Sequence, residues 1–223
     1  MIADNVAKIL ENIQKASRAG GEKVTLVGVT KTRSIGEINE LVSCGVTTLG
    51  ENRVQEYREK YEHVSPEASW HIIGSLQTNK LKYIIGQVSM IQSVDSVHLA
   101  QAIGEMSVKR GVTSDVLMEV NISGEESKHG FRENMISEAL EMMSVVEGIR
   151  VKGLMMMAPA TDDRKYLYSL FEKTRNIYDN LMDCTSKYDN ITMSVLSMGM
   201  SSDYVEAVEC GSNMVRIGTA LFI

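Results

Sequence analysis

The chain has 223 residues, 43% hydrophobic and 23% charged, with two prolines and a formal net charge of −6, a composition that suits a soluble globular core and excludes a disordered or low-complexity chain. Lys and Arg form no run long enough to make a polyanion stripe, which argues against a nucleic-acid partner. Three scattered cysteines (Cys44, Cys184, Cys210) indicate neither a disulfide framework nor a metal cluster, and the lack of a basic-apolar leader or an apolar stretch near the roughly 20 residues of a membrane span leads us to expect a cytoplasmic protein with no membrane contact.

Residues 3–19 place Val6, Ile9, Leu10 and Ile13 at helical spacing and end at Gly20-Gly21, predicting an amphipathic helix with a glycine stop. Residues 24–30, a β-branched and nearly continuous apolar run, predict a strand covered on both faces of a parallel sheet. Further strands are predicted over 48–51, 71–74, 90–94, 116–121, 151–157, 193–198 and 214–222, eight in all. Helical patterns fall between them near 34–44, 52–62, 76–86, 96–110, 131–147, 162–187 and 202–210. Such alternation requires a parallel sheet with helical crossovers, and eight strands of this length suit a closed barrel better than an open doubly wound sheet. The expected fold is therefore α/β, a single (β/α)8 TIM barrel domain over residues 1–223. No helix is predicted after the eighth strand, and the extra N-terminal helix is expected to take the vacant place in the outer ring.

In such a barrel the active face is built from strand C-termini and the loops that follow, often with a phosphate site after strands seven and eight. Polar residues gather there: Thr30-Lys31-Thr32, Gly50-Glu51-Asn52, Gly74 through Lys80, Asn121-Ile122-Ser123 and Arg216-Ile217-Gly218-Thr219. Lys31 directly ends an apolar run, a place inside the barrel mouth where desolvation lowers an amine's pKa and favours imine formation. The position equally suits a lysine that snorkels into solvent, and position alone does not decide. Met198 through Asp203 offers backbone N–H groups and a serine hydroxyl to an anion at a helix start, or a plain N-cap at Ser201 or Ser202. Gly218 and Thr219 on the neighbouring strand favour a shared anion, because a glycine in a buried strand often marks the close approach of a ligand. Arg216 lies on the same face as Gly218 and points a fixed positive charge into the mouth, unless it is salt-bridged to Glu51 or Glu119. His71 reads as a hydrogen-bonded core residue, Met155-Met156-Met157 as barrel core, and the polar helix of 161–187 as outer surface. No metal site is indicated.

Six blocks span nearly the whole chain: Val29-Thr30-Lys31-Thr32; Gly50-Glu51-Asn52 with Gln55-Glu56; Trp70 through Lys80; Asn121-Ile122-Ser123 with Lys128 and Gly130; Ser197 through Asp203; and Val215 through Thr219. Together they resemble the pyridoxal phosphate homeostasis protein family. The resemblance implies a barrel similar to the N-terminal domain of alanine racemase, a fold-type III barrel for pyridoxal 5'-phosphate (PLP), with Lys31 as the Schiff-base lysine. It further implies that Ser201, Gly218 and Thr219 hold the phosphate, that Arg216 faces the pyridine nitrogen, and that Asn52 lies near the ring. An arginine there keeps the nitrogen unprotonated and weakens the ring as an electron sink.

Two departures stand out: Arg33 occupies a position where the family often has a second lysine and cannot form an imine, and Ser34 replaces a frequent proline. The implied function is that of a non-enzymatic PLP carrier in vitamin B6 homeostasis, a monomer, with PLP-dependent apoenzymes as candidate recipients. The alternative is a PLP-dependent amino-acid racemase. Two-base racemisation needs a second acid/base on the opposite face of the cofactor; the racemase takes it, a tyrosine, from a separate domain of the partner subunit, and no such domain is expected within these 223 residues. A third reading is a phosphate-binding barrel enzyme without PLP, using Lys31 as a base or a sugar-imine lysine. Lys80 and Lys128 are candidates for a secondary PLP site.

Overall fold

The computed structural model describes residues 1–17, 23–126, 128–185 and 187–223. Helix α1 (Ile2–Ala16) buries Ile2, Val6, Ile9 and Ile13 along one stripe, whereas Leu10, expected there, is 45% exposed. The predicted stop at Gly20-Gly21 lies outside the described residues, as does the side chain of Cys184. The chain then alternates through β1 (Thr25–Val29), α2 (Ile35–Ser43), β2 (Thr48–Glu51), α3 (Val54–Lys60), β3 (Ser69–Ile72), a 3-10 segment (Thr78–Tyr83), β4 (Met90–Val94), α4 (Val97–Arg110) and β5 (Ser114–Asn121). Next come the two-residue β6 (Phe131–Arg132), a 3-10 turn (Glu133–Met135), α5 (Ile136–Met143), β7 (Ile149–Met156), α6 (Arg164–Thr185), β8 (Ile191–Ser197), α7 (Tyr204–Glu209), β9 (Met214–Ile217) and α8 (Thr219–Phe222).

Local chemistry sets several of these boundaries. Ser34, the departure from proline, opens α2 with a capping box, its hydroxyl accepting from Glu37 N–H while the Glu37 carboxylate accepts from Ser34 N–H. Ser96 caps α4. Strands pair in the order β4-β3-β2-β1-β9-β8-β7-β5, all parallel, and a β4–β5 pairing closes the ring into an eight-stranded barrel. β6 adds a short parallel pairing to β5. Helix α1 packs against α2, α7 and α8, the place in the outer ring anticipated for it.

Four expectations need correction. The last strand stops at Ile217, and residues 219–222 form a helical turn, α8, instead of continuing the strand. Gly218 turns the chain out of the sheet, Leu221 and Phe222 become buried, and Asn5 Nδ2 donates to the carbonyls of Leu221 and Ile223. An apolar run this short has the same pattern in a strand and in a buried helix. Strand three begins at Ser69 rather than His71, the pattern near 76–86 yields only the 3-10 segment, and residues 131–147 divide into β6, a 3-10 turn and α5. No described helix is long and apolar enough to cross a membrane.

Inside the barrel, Val27, Met90, Leu117, Met155 and Met214 form one apolar layer, with Val195 against it. Side chains alternate along a strand. One step toward the C-terminal end of the strands therefore turns Val29, Gln92, Glu119, Ser197 and Arg216 inward, and a further step reaches Lys31 and Gly218.

Candidate functional site

The register of three neighbouring strands brings the first group together. β1 pairs with β2 through Val29↔Gly50 and with β9 through Gly28↔Ile217, so Lys31, Asn52 and Gly218 follow three adjacent strand ends. Asn52 is half-buried and lies hard against Gly74, where an added Cβ would sit 2.4 Å from the Asn52 carbonyl oxygen; Ser93 Oγ in turn donates to the Gly74 carbonyl at 2.7 Å. Lys31 is exposed, which corrects the expectation of a desolvated amine. It stands at the corner of a turn two residues past Val29, beyond the apolar run rather than within it. Arg33 lies over the Phe222 ring at 4.6 Å and pairs with Glu37 at 3.4 Å, tying this turn to α8.

The second group joins the loops after β8 and β9. Met198 N–H donates to Met214 C=O and Arg216 N–H to Gly199 C=O, stitching the loop after β8 to strand β9 itself. Gly199 has φ +97°, and a Cβ there would meet Ala207 Cβ at 2.7 Å, so only glycine fits the turn. Neither serine caps α7. Ser201 Oγ instead accepts from Gly218 N–H at 3.3 Å and Ala220 N–H at 3.4 Å, long contacts that leave both donors weakly engaged. The N-cap position of α7 is Asp203, whose buried carboxylate accepts from Met200 N–H at 2.5 Å; burial pushes that carboxyl up. Thr219 begins α8 and is exposed. Around Gly218 the nearest atom to an added Cβ is Val29 Cβ at 3.4 Å, an ordinary contact, so no protein atom requires glycine there.

Arg216 forms the floor. It is 3% exposed, with Nη1 donating to Ser197 Oγ at 2.6 Å and Nη2 to the Met156 carbonyl at 2.9 Å. Burial pushes its pKa down to about 10, opposed by the charges of Glu119 and Asp203, so it stays cationic near neutrality. Of the two carboxylates weighed as partners, Glu51 faces the helix layer and bonds Lys60 at 2.6 Å, while Glu119 acts on Arg216 through space without a hydrogen bond between them. Burial, reinforced by Asp95, pushes Glu119 up to about 7. Ser197 Oγ donates to Gln92 Oε1 at 2.7 Å, and Gln92 Nε2 lies 2.9 Å from His71 Nδ1. His71 is thus a hydrogen-bonded core residue, pushed down to about 4 by burial.

Sequence reasoning gave no individual role to Gln92, to Ser197 as a partner of Arg216, or to Glu56, Lys60 and Asp203. A glutamine inside the apolar run Met90–Val94 was a readable sign of a buried polar network. Lys80 is half-buried, and Lys128 Nζ stands 3.1 Å from Glu125 Oε2; neither is drawn into the groups above. Among the described residues no cluster of His, Cys, Asp and Glu is arranged to hold a metal.

A family described as alanine racemase, N-terminal domain, matches residues 5–223. A pyridoxal phosphate homeostasis protein of Aquifex aeolicus is 40% identical over 223 residues, covering 98% of this chain and 96% of its own. Among solved structures, PipY of Synechococcus elongatus with PLP bound superposes with a TM-score of 0.88 at 28% identity, over the full length of both chains. An alanine racemase of Clostridium difficile superposes with a TM-score of 0.77 at 20% identity, covering 98% of this chain and 59% of that one; at that identity the likeness is one of fold.

Proposed function

Because the chain belongs to the pyridoxal phosphate homeostasis protein family, built on the alanine racemase N-terminal barrel, we propose that it binds PLP as a Schiff base on Lys31 and serves PLP homeostasis without catalytic turnover. The observation that carries this reading is the strand register, which sets an accessible lysine, a buried arginine and a pair of hydroxyl- and glycine-bearing loops at neighbouring strand ends. PLP supplies an aldehyde, with which an amine condenses as water leaves, and a phosphate dianion. Lys31 offers the amine. Ser201, Thr219 and the backbone at Gly218 take the phosphate, where two weakly engaged N–H donors and an uncrowded glycine suit an anion. Arg216 faces the pyridine nitrogen and Asn52 the ring. A guanidinium held by Ser197 and the Met156 carbonyl is not a proton donor near neutrality, so the ring stays a poor electron sink.

The carrier reading is favoured over a racemase because the relative that shares nearly the whole chain is a homeostasis protein, whereas the racemase is matched over 59% of its length. On the same reading, residues 1–223 act as one PLP-binding domain in a cytoplasmic monomer that passes PLP to apoenzymes, and Arg33 takes no covalent part.

Borohydride reduction of the PLP-loaded protein followed by peptide mass spectrometry is expected to find the cofactor on Lys31, and Lys31→Ala to lose the visible absorption of the lysine-bound form. Label on a different lysine, or an identical spectrum in the alanine variant, would refute the assignment. Robust Lys31-dependent racemisation of a free amino acid would overturn the carrier reading in favour of the racemase.

A further inference from the structure

The turn that carries Lys31 is held from outside the barrel mouth. Arg33 N–H donates to Thr30 C=O at 3.1 Å, closing a four-residue turn with Lys31 and Thr32 at its centre. Thr32 has φ +61°, in the left-handed region that a β-branched residue rarely enters. A turn with positive φ at its third position ordinarily places glycine there. Such a conformation persists only where its surroundings over-determine it.

Those surroundings come from α3. Glu56 Oε2 accepts from Thr32 N–H at 3.0 Å, and Lys60 Nζ donates to Thr30 C=O at 2.8 Å. The peptide groups on both sides of Lys31 are thus each gripped by an ionised side chain, and the two side chains lie 3.3 Å apart. Lys60 also bonds Glu51 Oε1 at 2.6 Å, which accepts from Thr30 Oγ1 at the same distance. Lys60 is only 8% exposed and Glu51 fully buried, and Glu51 Oε2 has no hydrogen-bond partner. A buried ion pair with an unsatisfied oxygen is a poor device for stability alone, since apolar side chains of similar volume often serve as well. A staple joining α3 to β2 would need Lys60 and Glu51 but not the bond from Glu56 to Thr32.

We propose that Glu56 and Lys60 are positioning residues for Lys31, fixing the carbonyl before it and the amide after it so that its amine is presented to the barrel mouth in one orientation. The inference rests on the reading of Lys31 as the PLP lysine. The two residues touch neither PLP nor its reacting atoms and act only through the Thr30–Arg33 turn.

The test compares Glu56→Ala, Glu56→Gln and Lys60→Met with the parent, measuring PLP affinity, the pH midpoint of the visible spectrum, melting temperature, and the labelled lysine after borohydride reduction. Loss of one charge-assisted hydrogen bond corresponds to about a tenfold effect. Glu56→Ala is accordingly expected to weaken PLP binding by about that factor and to shift the spectral pH midpoint, with a melting temperature close to the parent's. Glu56→Gln keeps an acceptor oxygen and should recover much of the loss. Lys60→Met is expected to show the same binding defect. Parent-like affinity and midpoint in Glu56→Ala with the label still on Lys31, or Glu56→Gln binding no better than Glu56→Ala, would overturn the positioning role. A label on a different lysine would instead remove the reading of Lys31 itself.

Discussion

Glu119 stands on the inward face of β5 beneath the mouth, and burial lifts its carboxyl to about 7. An acid whose folded-state value is raised holds its proton longer in the folded chain, so its contribution is fully present below about 4.5 and is lost as pH rises toward 7. Glutamine mimics the protonated form. The stability difference between Glu119→Gln and the parent is therefore expected to grow from near zero at pH 4 to roughly 3 kcal/mol above pH 7, as read by denaturant unfolding across that range. Superimposable curves would mean that Glu119 is solvated. His71 runs the other way: pushed down to about 4, its contribution is complete above its ordinary value of 6.5 and is lost as pH falls toward 4. Taking the difference between variant and parent separates the two slopes where they overlap.

At the scale of elements, the loops after β8 and β9 meet through one hydroxyl, with Ser201 Oγ accepting from Gly218 and Ala220. Replacing Ser201 with Ala and Thr219 with Val together is expected to weaken PLP retention, because phosphate hydrogen bonds of roughly 1.5–3 kcal/mol each are lost. Unchanged retention in equilibrium dialysis would place the phosphate elsewhere. These loops also show what a sequence carries and what it withholds. Strand and helix alternation, and the shared inward side of Arg216 and Gly218, were legible because they follow from periodicity. The turn at Gly218 was not, because Thr219 through Phe222 have no periodic signature, and the carbonyls of Leu221 and Ile223 are held by Asn5, more than 200 residues away. Nor was the grip on the Lys31 turn legible, because in the sequence Glu56 and Lys60 carry only helical i, i+4 spacing, and it is the folded barrel that brings Thr30 and Thr32 against them.

Across the whole molecule, a chain of hydrogen bonds runs through the barrel interior from Arg216 on β9 to Ser197 on β8, Gln92 on β4 and His71 on β3, with Gln92 Nε2 also 3.2 Å from Met214 Sδ. β4 and β8 are not neighbours in the ring, so this chain ties opposite walls together above the apolar layer of Val27, Leu117 and Met155. A half-satisfied network is costly in a dry interior. Gln92→Leu strips the acceptor from Ser197 and the donor from His71, and is expected to cost about 2–3 kcal/mol, lowering the melting temperature by roughly 5–10 °C for a chain of this size. Ser197→Ala leaves Arg216 Nη1 without its acceptor and should cost a similar amount. Because both changes break the same chain, the double variant should fall short of the sum by about 1 kcal/mol. Strict additivity in that cycle would mean that the bonds act separately and that the orientation of Arg216 is fixed by the Met156 carbonyl alone.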